Sequence, residues 1–397
     1  MREYRVLGAH VPGFARSRAI GLGAAQVRCR RPAAGLMVAR ACGVDLSLDG
    51  PSPPEVGAAC HHTGTCTNRG VLFIEALVGN SNADIDQSLL GRDCPRVSAT
   101  WPGRQSFVNI GLVFPQTELG GDRGAVRAYG QRAEELGFTH ILAYDHVLGA
   151  DPAVHLGWNG PYDIDTTFHE PFVMYGYLAA VTSLELVTGI IILPQRQSAL
   201  VAKQAAEVDL LTGGKFRLGV GLGWNPVEYE ALGKNFADRG SRIGEQVELM
   251  RRLWTERTVT FTGRYETVTG AGLAPLPIQR PIPVWFGGHS AKAYARIGRL
   301  ADGWFPQVPP GPQLEDARGI VAQAAVEAGR DPAALGMEGQ VSWGVGGAER
   351  LIDHVERWRA AGASHVSINT TGAGLDSVNG HLKTLTIVAE ALRLQRH

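Results

Sequence analysis

The sequence predicts a (β/α)8 barrel over residues 107–397, with a small insertion after its fourth helix and a less regular N-terminal extension, 1–106. Two observations carry this. From Phe107 onward, short apolar runs alternate with amphipathic helical patterns, the alternation expected of a parallel sheet covered by helices. The alternation can be counted eight times over roughly 290 residues, which suits a closed barrel better than an open doubly wound sheet.

The first unit pairs the strand FVNIGLVFP (107–115) with the helix GAVRAYGQRAEEL (124–136), whose Ala, Tyr and Leu turn inward. The second strand, THILAYDHV (139–147), leads through a polar, aromatic loop to the helix PFVMYGYLAAVTS (171–183), with Pro171 at its first turn. LELVTGIIILP (184–194) is the third strand. SALVAKQAAEVDLLT (198–212) is its helix, with Ser198 read as the N-cap and Gly213 as the stop. KFRLGVGLG (215–223) and RIGEQVELMRRLWTE (242–256) form the fourth unit, and TVTFTGRYETV (258–268) reads as an inserted hairpin. The later strands are 281–288, 302–307, 336–346 and 364–370, with helices over 290–301, 314–327, 348–362 and 377–392.

Composition narrows the class. The formal net charge is zero, which gives no electrostatic reason to expect nucleic acid or an anionic membrane as partner. No apolar run approaches the roughly 18 residues of a membrane span. All five cysteines precede residue 95, so the barrel uses neither disulfides nor thiol chemistry, as in a cytoplasmic enzyme. Residues 1–106 hold 12 Arg and no Lys, and read as an irregular extension, with a small module and a targeting segment as the alternatives. Its CHHTGTC (60–66) places Cys60, His61 and His62 in succession, a spacing from which ligands do not easily converge on one tetrahedral zinc.

A barrel of this kind carries its site at the C-terminal strand ends. Those ends hold Asp145-His146, Thr188-Gly189-Ile190, Gly223-Trp224-Asn225, Gly287-Gly288-His289-Ser290, Trp304 and Asn369-Thr370. RLGVGLGWNP (217–226) is not a dinucleotide turn, because its glycines are spaced G-x-G-x-G and Pro226 with a loop precedes the next long helix. Gly219, Gly221 and Gly223 fall on one side of the strand, where they either leave space for a planar ligand or permit close strand packing. GGHSAKAY (287–294) opens a helix with free amides that suit a phosphate, although Ser290 is also a fitting cap. Arg196 reads as a contact for an anionic tail or substrate, or as an ion-pair partner. His169, Glu170 and Trp304 are candidates for the substrate pocket, against a helix-start role for Glu170 and core packing for Trp304.

The runs LPQRQSALVAKQAAEVDLLTGGKFRLGVGLGWNPVEYEALG (193–233), PIPVWFGGHS (281–290) and ADGWFP (301–306), with Arg239, Gly240, Glu245, Leu253 and Trp254 between them, resemble the luciferase-like monooxygenase superfamily, most closely its coenzyme F420-dependent oxidoreductase branch. The resemblance covers about 107–395 and implies a barrel holding a deazaflavin, or FMN in some branches, in its mouth. It implies that Asp145 or His146 lies close to the ring, with His146 as proton donor or acceptor. It also implies a non-prolyl cis peptide near Gly189-Ile190, a cofactor wall at Gly223, Trp224 and Asn225, and phosphate binding by Gly287 and Gly288. The expected partner is a small-molecule substrate, in a protein of a family that commonly forms homodimers.

Overall fold

The computed structural model describes residues 108–375 and 377–395, together with the backbones of four short strands in the preceding segment. The chain divides into two units, Met1–Trp101 and Pro102–His397. In the first, Met37–Ala41, Val44–Ser47, Ala59–His61 and Phe73–Ala76 pair as an antiparallel sheet, with Met37–Ala41 between Val44–Ser47 and Phe73–Ala76. The reading of 1–106 as irregular and the chemistry of CHHTGTC otherwise lie outside the described residues.

The second unit is the barrel. Its strands are β1 (Asn109–Val113), β2 (His140–Ala143), β3 (Glu185–Thr188), β4 (Phe216–Gly221), β5 (Val284–Gly288), β6 (Gly303–Pro306), β7 (Gly336–Ser342) and β8 (His365–Asn369). Each pairs in parallel with the next, and β8 closes on β1 with Val366 opposite Ile110. The helices that cover them are α1 (Arg123–Glu135), α2 (Pro171–Ala179), α3 (Ser198–Leu211), α4 (Arg239–Thr255), α5 (Ala291–Leu300), α6 (Pro312–Glu327), α7 (Gly347–Ala360) and α8 (Val378–Ala391).

Two local expectations are corrected. Gln197, not Ser198, precedes α3; Ser198 is buried inside the first turn, where its hydroxyl accepts a hydrogen bond from Gln246 at 3.1 Å. The chain after Asn225 does not run as a loop to α4 but turns at once into a short helix, Pro226–Ala231, capped by the Asn225 side chain. Pro fixes φ for the first helical position and Asn accepts from an amide otherwise without a partner, so the helix start is written in Asn225-Pro226.

The inserted hairpin, Val259–Thr262 with Thr267–Ala271, is held to α4 by one carboxylate. Glu245 accepts from the amides of Arg264 (2.9 Å), Tyr265 (2.8 Å) and Glu266 (2.6 Å) at the hairpin turn. A Cβ on Gly263 would lie 2.1 Å from that carboxylate, so the turn approaches this closely because residue 263 has no side chain.

The floor of the barrel is polar. Arg217 on β4 donates to Glu338 on β7 at 2.8 Å and to Glu185 on β3 at 2.9 Å, and its guanidinium lies over the Trp285 ring at 4.4 Å. His140 on β2 stands 3.0 Å from both Glu338 and Ser367. Burial opposes ionisation of Glu338, but Arg217 and His140 hold its carboxyl well below the ordinary carboxylate range. Burial and the adjoining Arg217 push His365 down from 6.5 to about 3. Removing one partner leaves a buried charge uncompensated, so Glu338→Gln or Arg217→Met is expected to cost about 3–5 kcal/mol in urea unfolding. Both shifts favour the fold at neutral pH. The unfolded chain takes up protons first, at His365 below 6.5 and at Glu338 below the ordinary carboxylate value. Stability should therefore fall from pH 7 to pH 4, by up to roughly 1.4 kcal/mol per pH unit from His365, and His365→Asn should flatten the upper part of that fall.

Candidate active site at the barrel mouth

The mouth is shaped first by what β4 lacks. A Cβ on Gly219 would lie 1.8 Å from the carbonyl oxygen of Thr188, one on Gly221 would lie 2.7 Å from Ile190, and one on Gly223 would lie 2.6 Å from Ile192. Every second residue of β4 therefore gives way to every second residue at the end of β3. Close strand packing is the reading the structure supports for these glycines; the space they leave is filled by a neighbouring strand. The Gly189–Ile190 peptide is cis, and the chain then re-pairs with β4 through Ile191 and Ile192. The bulge brings Ile190 to the border of a cavity of about 490 Å³ and of an adjoining recess of about 220 Å³.

One end of the larger cavity carries the imidazole of His146. Its Nδ1 is 3.1 Å from Oε2 of Glu228, a fully buried carboxylate, while its Nε2 has no hydrogen-bond partner among the described residues. Glu228 sits in the first turn of the Pro226–Ala231 helix. Its other oxygen accepts from the amides of Val147 (2.6 Å) and Leu148 (3.2 Å), so it ties the loop after β2 to the end of β4. Around the imidazole stand Phe168 at 4.8 Å, Tyr162 at 5.1 Å and Trp224 at 5.4 Å between ring centres.

Asp145 is buried beside it. Its carboxylate accepts from Arg196 at 2.7 Å and from the Ile192 amide at 3.1 Å, which fixes the segment beyond the bulge. Burial lifts the Asp145 carboxyl above its ordinary value, with Arg196 acting in opposition. In the recess, the Tyr144 hydroxyl and the Gln340 amide are 3.0 Å apart across the barrel, and burial pushes the phenol up to about 12.

The same cavity is lined by Gly287, Gly288, His289 and Ser290 at the start of α5, and by Arg239. Ser290 accepts from the Ala293 amide at 3.2 Å, so it does cap α5. Arg239 lies over the Phe236 ring at 3.6 Å, and its Nε is buried without a partner. A guanidinium lining the same cavity as two glycines at a helix start is a donor set that suits an anionic group.

Nine of the sequence-derived candidates meet in this cavity: Asp145, His146, Gly189, Ile190, Gly223, Trp224, Gly287, Gly288 and His289. Five do not line it. Thr188 is buried and donates to the Gly219 carbonyl at 2.8 Å. Asn225 caps the short helix and donates to the Leu148 carbonyl at 3.3 Å. His169 is bound to the Gly120 carbonyl at 3.0 Å, in the loop after β1. Arg196 is taken up by Asp145 and by Glu170, the residue that caps α2. Trp304 packs edge-on against Tyr294 in the core, because inward and outward residues alternate on β6 and Phe305 is the one that lines the recess. Sequence reasoning missed Glu228 and Arg239. Asn225-x-x-Glu228 has the spacing of a capping box, a signal in the sequence that places Glu228 at a helix start but does not point to His146.

Fold and site together define a (β/α)8 barrel with a ligand cavity at the C-terminal strand ends. The luciferase-like monooxygenase family model matches residues 109–380. An uncharacterised protein of Mycobacterium tuberculosis is 42% identical over 138 residues, 34% of this chain and 47% of that protein, so the chain matches about half the length of that relative. The F420-dependent hydroxymycolic acid dehydrogenase of the same organism is 28% identical over 284 residues, 69% of this chain and 74% of that one. An F420-dependent secondary alcohol dehydrogenase, solved with an F420–acetone adduct, superposes with a TM-score of 0.58 at 20% identity, over 73% of this chain and 99% of that one. This chain belongs to the luciferase-like monooxygenase family, whose members use coenzyme F420 or FMN. Among the described residues no helix is long and apolar enough to cross a membrane, and no cluster of three or more His, Cys, Asp or Glu is placed to hold a metal.

The glycine ladder has a direct test. Gly219→Ala must displace the backbone of β3, and is expected to cost about 1–3 kcal/mol in urea unfolding and to weaken cofactor binding. Gly221→Ala meets the end of a flexible Ile190 side chain and should cost less. Equal costs at the two positions would contradict this account of the packing.

Proposed function

We propose that this protein is an F420-dependent oxidoreductase that moves a hydride between C5 of the deazaflavin and a small organic substrate. The observation that carries the reading is the arrangement of the cavity. His146, held by Glu228 and with Nε2 unengaged, lines it among the rings of Tyr162 and Trp224, and helix-start glycines with Arg239 line it as well. A group with a planar redox ring and an anionic tail fits that polarity. Similarity to an F420-dependent dehydrogenase over 69% of the chain favours the deazaflavin over FMN.

When bound, the deazaflavin supplies hydride chemistry at C5, while the protein supplies orientation and proton control. Gly287, Gly288 and Arg239 hold the anionic tail, and Ile190 on its bulge gives the ring an apolar support. Glu228 accepts from Nδ1–H of His146, which fixes the tautomer and leaves Nε2 as the working nitrogen. His146 then takes a proton from a substrate hydroxyl during oxidation and returns it to the oxygen during reduction. Asp145 and Arg196 act at one remove, by holding the chain on either side of the bulge.

Titration with each cofactor, followed by quenching of tryptophan fluorescence, tests the choice of cofactor. Saturable F420 binding is expected, and tight FMN binding with no F420 binding would overturn it. His146→Ala should lower kcat by about 10²–10⁴-fold, the usual worth of a positioned acid–base group, with cofactor affinity almost unchanged. Arg239→Met should raise the cofactor Kd about tenfold or more, as loss of a charge-assisted bond does.

A further inference from the structure

The two ends of the cavity differ in charge as well as in shape. Arg239, the cation that lines it, stands with Gly287 and Gly288, and the Arg296 side chain donates to the Gly240 carbonyl at 2.9 Å, which seats the start of α4 against α5. Among the described residues no lysine or arginine lines the cavity beside His146; Arg196, the guanidinium nearest to it in the fold, is held outside the cavity by Asp145 and Glu170. Between Arg132 and Arg196 the sequence contains no lysine or arginine. This stretch includes the whole loop between β2 and α2, which leaves the cavity at His146 and returns to it at Tyr162. The charged groups of that excursion are acidic: Asp151 caps its own turn at the Ala153 amide, 2.8 Å away, and Asp163 follows just beyond Tyr162.

The same excursion presents apolar side chains to solvent. Leu156 is 90% exposed and Val154 71% exposed. The loop is not loose chain: Trp158 donates to the Tyr162 carbonyl at 3.0 Å, and the Ile164 amide to the Ala150 carbonyl at 3.1 Å. Exposed apolar groups on an ordered loop whose two ends line the cavity offer an apolar ligand a first contact. Inside, the imidazole faces the rings of Tyr162 and Trp224 and the side chain of Ile192.

We infer that the substrate taken up at the His146 end is an uncharged, largely apolar molecule, flat enough to lie against Trp224 and Tyr162, and that anionic substrates such as sugar phosphates and carboxylates are rejected there. The inference rests on the functional reading above for the division of the cavity into a tail end and a substrate end. A carboxylate near His146 would be desolvated against aromatic rings, with no lysine or arginine lining the cavity there to receive it.

The test compares 2-naphthaldehyde with its 6-carboxy and 6-dimethylaminomethyl derivatives, which share one reactive group and one ring system. Binding to the full chain is read by tryptophan fluorescence, with and without the cofactor that the titration retains. The neutral aldehyde is expected to bind about 30-fold tighter than the carboxylate, the scale set by an uncompensated charge at a partly desolvated site. Equal or tighter binding of either charged derivative would overturn the inference. In V154K/L156K, cations at the rim should cut the preference against the carboxylate at least about fivefold while leaving the cofactor Kd in place. A preference that does not move would place the discrimination elsewhere, and the inference would fall. If neither F420 nor FMN binds, the functional reading fails, but the ranking of the three aldehydes in the cofactor-free chain still decides this question.

Discussion

The packing of β3 into β4 is the constraint on which the mouth depends. Gly219, Gly221 and Gly223 offer no side chains where Thr188, Ile190 and Ile192 lean in, so the two strands mesh more closely than ordinary neighbours. That closeness sets where the Gly189–Ile190 bulge stands. The bulge divides the larger cavity from the recess below Tyr144 and Gln340. A side chain at Gly219 would have to move the backbone just before the bulge, whereas one at Gly221 or Gly223 would press on the Ile190 or Ile192 side chain.

Two carboxylates then hold the rim in register. Asp145 couples the end of β2 to the chain beyond the bulge through Arg196 and the Ile192 amide. Glu228 couples the loop after β2 to the helix after β4, and orients His146 in doing so. Both acids are buried, and each satisfies donors from more than one element. The polar floor formed by Arg217, Glu338 and His140 performs the same service at the other end of the barrel, where it joins strands far apart in sequence.

The barrel was legible because each strand–helix unit repeats one hydrophobic pattern, and a pattern repeated in series outweighs errors at single boundaries. The strand ends were legible for a related reason, since topology alone brings Asp145, Trp224 and Gly287 to one face. What the sequence did not show was which way a side chain at such an end is drawn. Arg196 and Thr188 are polar and correctly placed in the chain, yet each is consumed by a neighbour that becomes adjacent only after folding, while Asn225 is taken up by the helix it caps. Trp304 and Phe305 are consecutive aromatics on one short strand, and the pleat, which sequence cannot phase over so few residues, decides which faces inward. Glu228 was hidden because its partner lies 82 positions earlier.

The hairpin that Glu245 grips lies outside the strand–helix repeat, yet it is mechanically joined to the cavity. Glu245 and Arg239 share the first turns of α4, and the Tyr265 hydroxyl meets Ser241 at 2.9 Å while Arg242 lies over the Tyr265 ring at 5.1 Å. The hairpin thus works as a splint along the opening turns of α4. Substitutions in it bear on the seat of Arg239 without altering any residue that lines the cavity. The position of a cavity-lining guanidinium is therefore set in part from a segment that borders no part of that cavity.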